Sequence, residues 1–237
     1  VNVISGQQPQ YNIANDQIIC AGTTVDLGGA AVPGSFYIWS SVPDGLQDET
    51  ANPSVTPTET TTYYLEVANG TCAVTALDSI TLTVYQSPVL AVQGDTLVCQ
   101  GQSVVLGTTD PETGIQYVWT PADSLDNASI ANPVATPSQT TTYTLVASNP
   151  GCTETRTVEV AVSIIDLQIN VEDTVQICKG TSVQILAAAS PTGTPVVWNP
   201  LAGLQVGPNG GSAVATPDET TLYTATVSVP GCVKTQT

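Results

Sequence analysis

The 237-residue chain contains no histidine and no methionine, one phenylalanine, and only three basic side chains, Arg156, Lys179 and Lys234. Without histidine it lacks the group best suited to proton transfer near neutral pH and the commonest metal ligand, which excludes hydrolytic triads of the Ser-His type. Three cations against 20 acidic residues give a formal net charge of −17. A polyanion-binding surface cannot be built from so few basic groups, so nucleic acid is not an expected partner. The same imbalance leaves almost no trypsin sites and keeps the chain soluble by self-repulsion, as suits an exposed extracellular or high-salt setting. No run of about 20 apolar residues and no basic, apolar leader is present, so membrane insertion is not expected. With no initiator methionine, the chain reads as a mature piece or an internal fragment.

What the sequence does contain is a period. Cys20, Cys99 and Cys178 are spaced by 79 and 79, Trp39, Trp119 and Trp198 by 80 and 79, and Tyr63, Tyr143 and Tyr223 by 80 and 80. Cys72, Cys152 and Cys232 follow at 80 and 80. The tyrosines lie in TPTETTTYYLEV, TPSQTTTYTLVA and TPDETTLYTATV. A fixed period of this size marks an array of similar modules. The expected division is 1–5, the end of the last strand of a preceding repeat; 6–85, repeat one; 86–165, repeat two; and 166–237, repeat three with its last strand incomplete. Thr237 aligns with Thr157, and Val1-Asn2-Val3 aligns with Val158-Glu159-Val160. The chain therefore reads as a window cut from a longer array, or as a unit that polymerises by donating that strand to an open sheet edge.

Each copy is a series of short segments rich in Val, Thr, Leu and Tyr, alternating in polarity and separated by Gly, Pro, Asn and Asp clusters, which is the pattern of strands. In copy two the expected strands are 89–92, 96–99, 103–108, 116–120, 134–136, 142–148 and 153–162. About seven strands in roughly 80 residues, with a tryptophan on the third long one, predict an all-β array of three seven-stranded Greek-key, immunoglobulin-like sandwiches arranged head to tail. Trp39, Trp119 and Trp198 are the expected core tryptophans. Tyr63, Tyr143 and Tyr223 stand two residues before Leu65, Leu145 and Ala225, the position relative to the second core cysteine that a tyrosine corner occupies. Because those three residues replace the cysteine, and Gly29, Thr108 and Ala187 stand opposite, apolar packing must do the work of the usual bridge between sheets.

Six cysteines at matching places point to disulfides in an oxidising compartment, and the lack of clustered ligands argues against zinc. The first cysteine of each copy ends the strand before the first long turn, and the second lies in the last hairpin, at the opposite end of a sandwich. A strand of that length spans about 20 Å, whereas a disulfide needs Cα atoms roughly 4.4–6.8 Å apart. The favoured pairing is therefore between neighbouring repeats, Cys20–Cys152 and Cys99–Cys232, with Cys72 and Cys178 left for repeats outside the window. The alternative is one bridge per repeat, Cys20–Cys72, Cys99–Cys152 and Cys178–Cys232.

The W-x-P opening at Trp119 and Trp198, the NP-x-x-TP stretch at Asn52 and Asn132, the TTxY run and the PGC or GTC turn resemble the repeated immunoglobulin-like and PKD-type modules of large cell-surface proteins that Bacteroidota export by type IX secretion. Copy one departs with WSSVP, and copy three has GSAVATP in place of the NP stretch. The resemblance implies an extracellular, cell-surface location and adhesins, gliding-motility filaments or spacers. It also marks Asp78-Ser79-Ile80, Asp95-Thr96-Leu97, Asp123-Ser124-Leu125 and Asp173-Thr174-Val175 as O-glycosylation patterns of that phylum. The sequons at Asn69 and Asn127 read as incidental. Acidic loops at 44–49 and 123–126 are weak candidates for calcium, and no other cofactor is expected. No catalytic constellation recurs or stands alone, so no enzyme activity is expected. The expected role is a spacing or mechanical segment of a surface filament, stalk or adhesin shaft. Its partners are neighbouring repeats of the same long chain, copies of itself in a fibre, or other cell-surface components. The alternatives are a glycan- or protein-binding adhesin module and the spacer domains of a secreted enzyme.

Overall fold

The computed structural model describes residues 9–69, 72–108 and 111–237. The expectation for 1–5 and two residues of the first sequon, Gly70 and Thr71, lie outside them. The chain divides into two compact units, Val1–Leu90 with Asp110–Tyr117 and Val146–Thr155, and Ala91–Thr109 with Val118–Leu145 and Arg156–Thr237. Every named element is a strand except one short 3-10 turn, Pro208–Gly210.

Copy one contains β1 (Gln17–Cys20), β2 (Val25–Asp26), β3 (Ser35–Val42), β4 (Gln47–Asp48), β5 (Ser54–Val55), β6 (Thr61–Asn69) and β7 (Cys72–Tyr85). Five of these form one sheet in the order β1-β7-β6-β3-β4, and β2 pairs with β5 in the facing layer. Period-2 alternation explains why these segments are strands. Tyr37, Trp39 and Ser41 of β3 and Tyr63, Leu65 and Val67 of β6 point inward, while the residues between them face out. Trp39 lies opposite Leu65 across the β3–β6 pair. Val25, Leu27 and Val55 close the core from the other layer.

Copy two repeats the element sequence as β8 (Thr96–Cys99), β9 (Val104–Val105), β10 (Gln116–Thr120), β11 (Val134–Ala135), β12 (Thr141–Ser148) and β13 (Thr153–Ser163). The strand expected at 89–92 is reduced to a single bridge between Val92 and Thr108. The one expected at 103–108 shortens to Val104–Val105 because Gly107 leaves the strand path at φ 138°. A Cβ at Gly107 would sit 2.1 Å from the Asn132 side-chain oxygen. In copy one the same contact is explicit, as Gly28 N donates to Asn52 Oδ1 at 2.8 Å.

Copy three contains β14 (Asp166–Ile169), β15 (Val183–Ser190), β16 (Val196–Asn199), β17 (Leu204–Val206), β18 (Ser212–Ala215), β19 (Thr224–Val229) and β20 (Cys232–Gln236). They form two sheets, β14-β15-β18-β17 and β16-β19-β20. Here the Asn-Pro loop is missing and Leu186 replaces the glycine, so β15 runs unbroken for eight residues. The glycine and the asparagine work as a pair: where one is absent the other is absent too, and the strand straightens.

The three tryptophans are seated alike. Trp39, Trp119 and Trp198 are almost wholly buried, and each indole N–H donates to a backbone oxygen, of Thr50 at 3.0 Å, Ile130 at 3.1 Å and Gly210 at 2.8 Å. Removing about 150–250 Å² of such a side chain from water stabilises a fold by about 4–6 kcal/mol before ordering costs. Tyr63 and Tyr143 are buried, and that burial pushes both phenols up from their ordinary value. Tyr223 differs from the core expectation: it is only partly buried, packs on the edge of the copy-three core, and donates its hydroxyl to Ala202 O at 2.8 Å. The segment before it, which is strand in the other two copies, is irregular in copy three, and β19 begins only at Thr224.

Candidate functional site at the cystine-linked turns

The residues with distinctive chemistry gather at two kinds of turn. The first follows the leading cysteine of each copy. Thr23 N donates to Cys20 O at 3.0 Å, Gln102 N to Cys99 O at 2.9 Å, and Thr181 N to Cys178 O at 3.0 Å. The third residue of each turn is Gly22, Gly101 or Gly180, at φ of 80°, 83° and 84°. This is the backbone of a type II turn, which needs a left-handed residue at that place and so takes glycine. Cysteine, any residue, glycine is thus the local code for the turn that follows each of the three cysteines.

The strand before the turn is fixed by a parallel pairing. Gln17–Cys20 runs beside Leu82–Tyr85, with Cys20 opposite Tyr85, and Thr96–Cys99 runs beside Val160–Ser163, with Cys99 opposite Ser163. Two hydrogen bonds brace each pair. Asp16 Oδ1 accepts from Thr81 N, and Asp95 Oδ1 accepts from Glu159 N, both at 2.8 Å. Thr60 and Thr140 hydroxyls accept from Val84 N and Val162 N, both at 3.0 Å.

The second kind of turn is the last hairpin. Asn149 organises it in copy two: its Oδ1 accepts from Gly151 N at 3.1 Å and Cys152 N at 2.8 Å, while its own N–H donates to Cys152 O at 3.0 Å. Asn149 Nδ2 reaches across to Gln86 O at 2.8 Å. Gly151 lies directly on β1 and β7, where a Cβ would meet Ile19 O at 2.5 Å and Tyr85 Cβ at 3.0 Å. Glycine is required there by closeness of approach.

These contacts bring Cys20 and Cys152 together, bonded with Cα atoms 4.9 Å apart, and Cys99 and Cys232 together, bonded at 5.4 Å. Cys152 and Cys232 are buried. The within-copy pairs are not formed: Cys20 is bonded away from Cys72, and Cys99 away from Cys152. Cys178 is an exposed free thiol. Cys72 opens β7, where its backbone stands opposite Asn69.

The acidic loops use their carboxylates locally. Asp48 accepts from the hydroxyl and the amide of Thr50, and those hydrogen bonds hold it below the ordinary carboxylate range. Asp126 Oδ1 accepts from Asn127 N at 2.7 Å and Val134 N at 2.8 Å. Among the described residues no three Cys, Asp or Glu groups converge to hold a metal ion, and no helix is long and apolar enough to cross a membrane. Lys234 forms an ion pair with Asp166 at 2.6 Å on the surface of copy three, and its hydrogen bond lowers the Asp166 carboxyl to about 2.

Two features escaped the sequence reading. The bracing role of Asn149 rests on tertiary contacts that its place in the sequence does not announce, and copy three has Val229 at the matching position. The glycine–asparagine pairing is visible in the sequence as a coincidence of Gly28 with Asn52 and Gly107 with Asn132, both lost in copy three.

Residues 86–165 match the family model for the Ig-like domain, CHU_C associated. No curated protein matches the sequence. Among solved structures the chain is similar to a three-immunoglobulin-domain fragment of titin carrying an E-to-A change, at 13% identity over 98% of this chain and 97% of that one, with a TM-score of 0.53. A titin I-band fragment gives 12% identity over the same shares and the same TM-score, 0.53. Extracellular domains 3–5 of Drosophila OTK align at 13% identity over 99% of this chain and 98% of that one, with a TM-score of 0.38. At such identities the titin likeness speaks to the fold: the chain is a tandem of immunoglobulin-like β-sandwiches.

Proposed function

We propose that this chain is a non-catalytic structural segment of an extracellular surface filament, stalk or adhesin shaft, whose repeats are stapled to one another by disulfides. The observation that carries this reading is that each cystine joins the leading turn of one copy to the last hairpin of the following copy, 132 and 133 residues later. A bond inside one sandwich stabilises that sandwich, whereas a bond between two constrains how they move. The glycine at 151, with no room for a side chain, supports a tight junction. Cystines also suit an oxidising, extracellular setting. The match of 86–165 to the Ig-like, CHU_C-associated family supports the resemblance to bacterial surface repeats, and on that resemblance the chain leaves the cell by type IX secretion and lies at the cell surface.

The test is electron microscopy of the parent protein on cells, before and after deletion of one repeat. A projecting feature that shortens by one repeat is expected. A compact particle whose reach is indifferent to the deletion overturns the reading.

A further inference from the structure

The outward side of the copy-one sheet is more apolar than the matching positions of the other copies. Phe36, Ile38 and Val42 of β3, Tyr64 of β6 and Leu77 of β7 all face solvent, and Phe36, the one phenylalanine in the chain, is 64% exposed. Pairing puts Ile38, Glu66 and Leu77 in one outward row, and Ser40, Tyr64 and Ser79 in the next. At the positions of Phe36, Tyr64 and Leu77, copy two has Gln116, Thr144 and Thr157, and copy three has Pro195, Thr224 and Thr237. The buried tryptophan beneath is common to all three copies, so the sandwich does not need the outward aromatic and aliphatic groups of copy one. Glu66 is the one charged residue on the outer side of β3, β6 and β7, because Asp78 stands opposite Leu65, whose side chain points inward. Large apolar side chains gathered on a charge-poor face mark a contact surface.

We propose that this face docks on the same face of a second copy of this chain, the two sheets packing about a twofold axis that crosses β6 at Leu65. Charge selects the occupant. Two chains of net charge −17 repel over most of their surfaces, and here they can approach with one carboxylate each. Charge also selects the register. A twofold axis running along β6 would set Glu66 on Glu66 of the second copy. An axis running across the strands at Leu65 instead sets Glu66 against the Tyr64 hydroxyl of the second copy, and the second copy's Glu66 against Tyr64. The same axis lays Phe36 on Val42 of the second copy, because Leu65 pairs with Trp39, from which Phe36 and Val42 are equally distant along β3. Sheets packed face to face lie about 10 Å apart with their side chains interleaved. Over the eight residues of β3 and the width of three strands, the face has a footprint of about 27 Å by 15 Å, roughly 400 Å². A stable interface takes about 800 Å² from each partner, so this pair belongs with the weak, transient ones. The pairing goes beyond the stapled-repeat reading and depends on neither cystine.

The experiment follows sedimentation of the full chain, its free thiols capped with iodoacetamide, from about 10 µM to about 1 mM in low and high salt. A reversible dimer is expected that tightens at least threefold in high salt, because screening removes the repulsion between acidic chains. Phe36→Gln combined with Leu77→Thr, the residues copy two carries there, should weaken the dimer at least tenfold while leaving the thermal unfolding of the chain in place. To read the register, an uncapped Phe36→Cys chain is mixed with a Val42→Cys chain and oxidised. Peptide mapping should find links between positions 36 and 42 at least tenfold above links between two positions 36. The proposal is overturned by a monomer throughout that range, by a dimer that the double substitution leaves intact, by one that weakens in high salt, or by a predominance of links between two positions 36. None of these outcomes touches the Cys20–Cys152 and Cys99–Cys232 bonds, so the stapled-repeat reading stands or falls separately.

Discussion

Gly151→Ala is the sharpest test of the junction in the first unit. A methyl group at this position would lie 2.5 Å from Ile19 O and 3.0 Å from Tyr85 Cβ, and the nearer of these is backbone. Backbone cannot swing aside as a flexible side-chain end can, so the hairpin must lift from β1 and β7. Overpacking of this kind costs about 1–3 kcal/mol. The strain falls on the docked, bonded arrangement and is relieved when the Cys20–Cys152 bond opens, because the hairpin is then free to withdraw. At about 1.4 kcal/mol per tenfold, the variant bridge should be roughly 5- to 150-fold easier to reduce. The assay is a glutathione redox titration read by alkylation and mass spectrometry, with Cys99–Cys232 in the same chain as internal control. That second bridge should not shift, because Gly231 has only ordinary contacts, at 3.5 Å and beyond, with Leu97. Equal behaviour of wild type and variant at Cys20–Cys152 refutes the close-contact argument, and an equal shift at both bridges refutes its locality.

Asn149→Ala removes the acceptor for two hairpin amides and the donor to Gln86 O, and should cost about 1–3 kcal/mol by denaturant titration; no loss would mean water replaces the side chain without penalty. Trp119→Ala deletes a buried indole and leaves Ile130 O without its donor, so a loss of about 3–5 kcal/mol in the unfolding of copy two is expected, followed by Tyr and Trp fluorescence. Asp166 has its folded pKa lowered to about 2 from 3.8, chiefly by the hydrogen bond from Lys234. Its contribution is therefore present above the unfolded value and fades as pH falls through about 2; a carboxyl titration by NMR that moves up toward the ordinary range in Lys234→Ala checks this.

The fold was largely legible because two signals coincide in every copy. Alternation marks β3, β6, β12 and β15, and the Trp–Tyr spacing fixes which face of each is inside. What the sequence reading missed came from tertiary contacts that override local preference. Residues 103–108 look like one strand, yet Asn132 pressing on Gly107 ends it early. Val89–Val92 has strand composition, but follows Pro88 and is tied by Val89 N to Glu112 Oε1 at 3.3 Å, so only Val92 keeps a ladder partner. Tyr223 carries the motif of its counterparts but is only partly buried, at the edge of the copy-three core. Its sequence is alike; its neighbours are not. At the cystine-linked turns, the cysteines and glycines stand out by period alone. Asn149 does not, because its role comes from contacts with Gln86, Gly151 and Cys152 that its spacing does not announce.

The two cystines also overlap along the chain, since 99–152 lies inside both loops. A tug applied outside Cys20 and Cys152 travels through sulfur and bypasses everything between them. The enclosed stretch, which would otherwise pay out to roughly 450 Å at about 3.4 Å per residue, stays slack. Because the next loop begins before the first has closed, no point between Cys20 and Cys232 is left where unfolding a single sandwich could lengthen the tether fully. Between Cys20 and Cys232 the shortest covalent path runs through both sulfur bonds and the stretch from Cys99 to Cys152, which therefore carries the load.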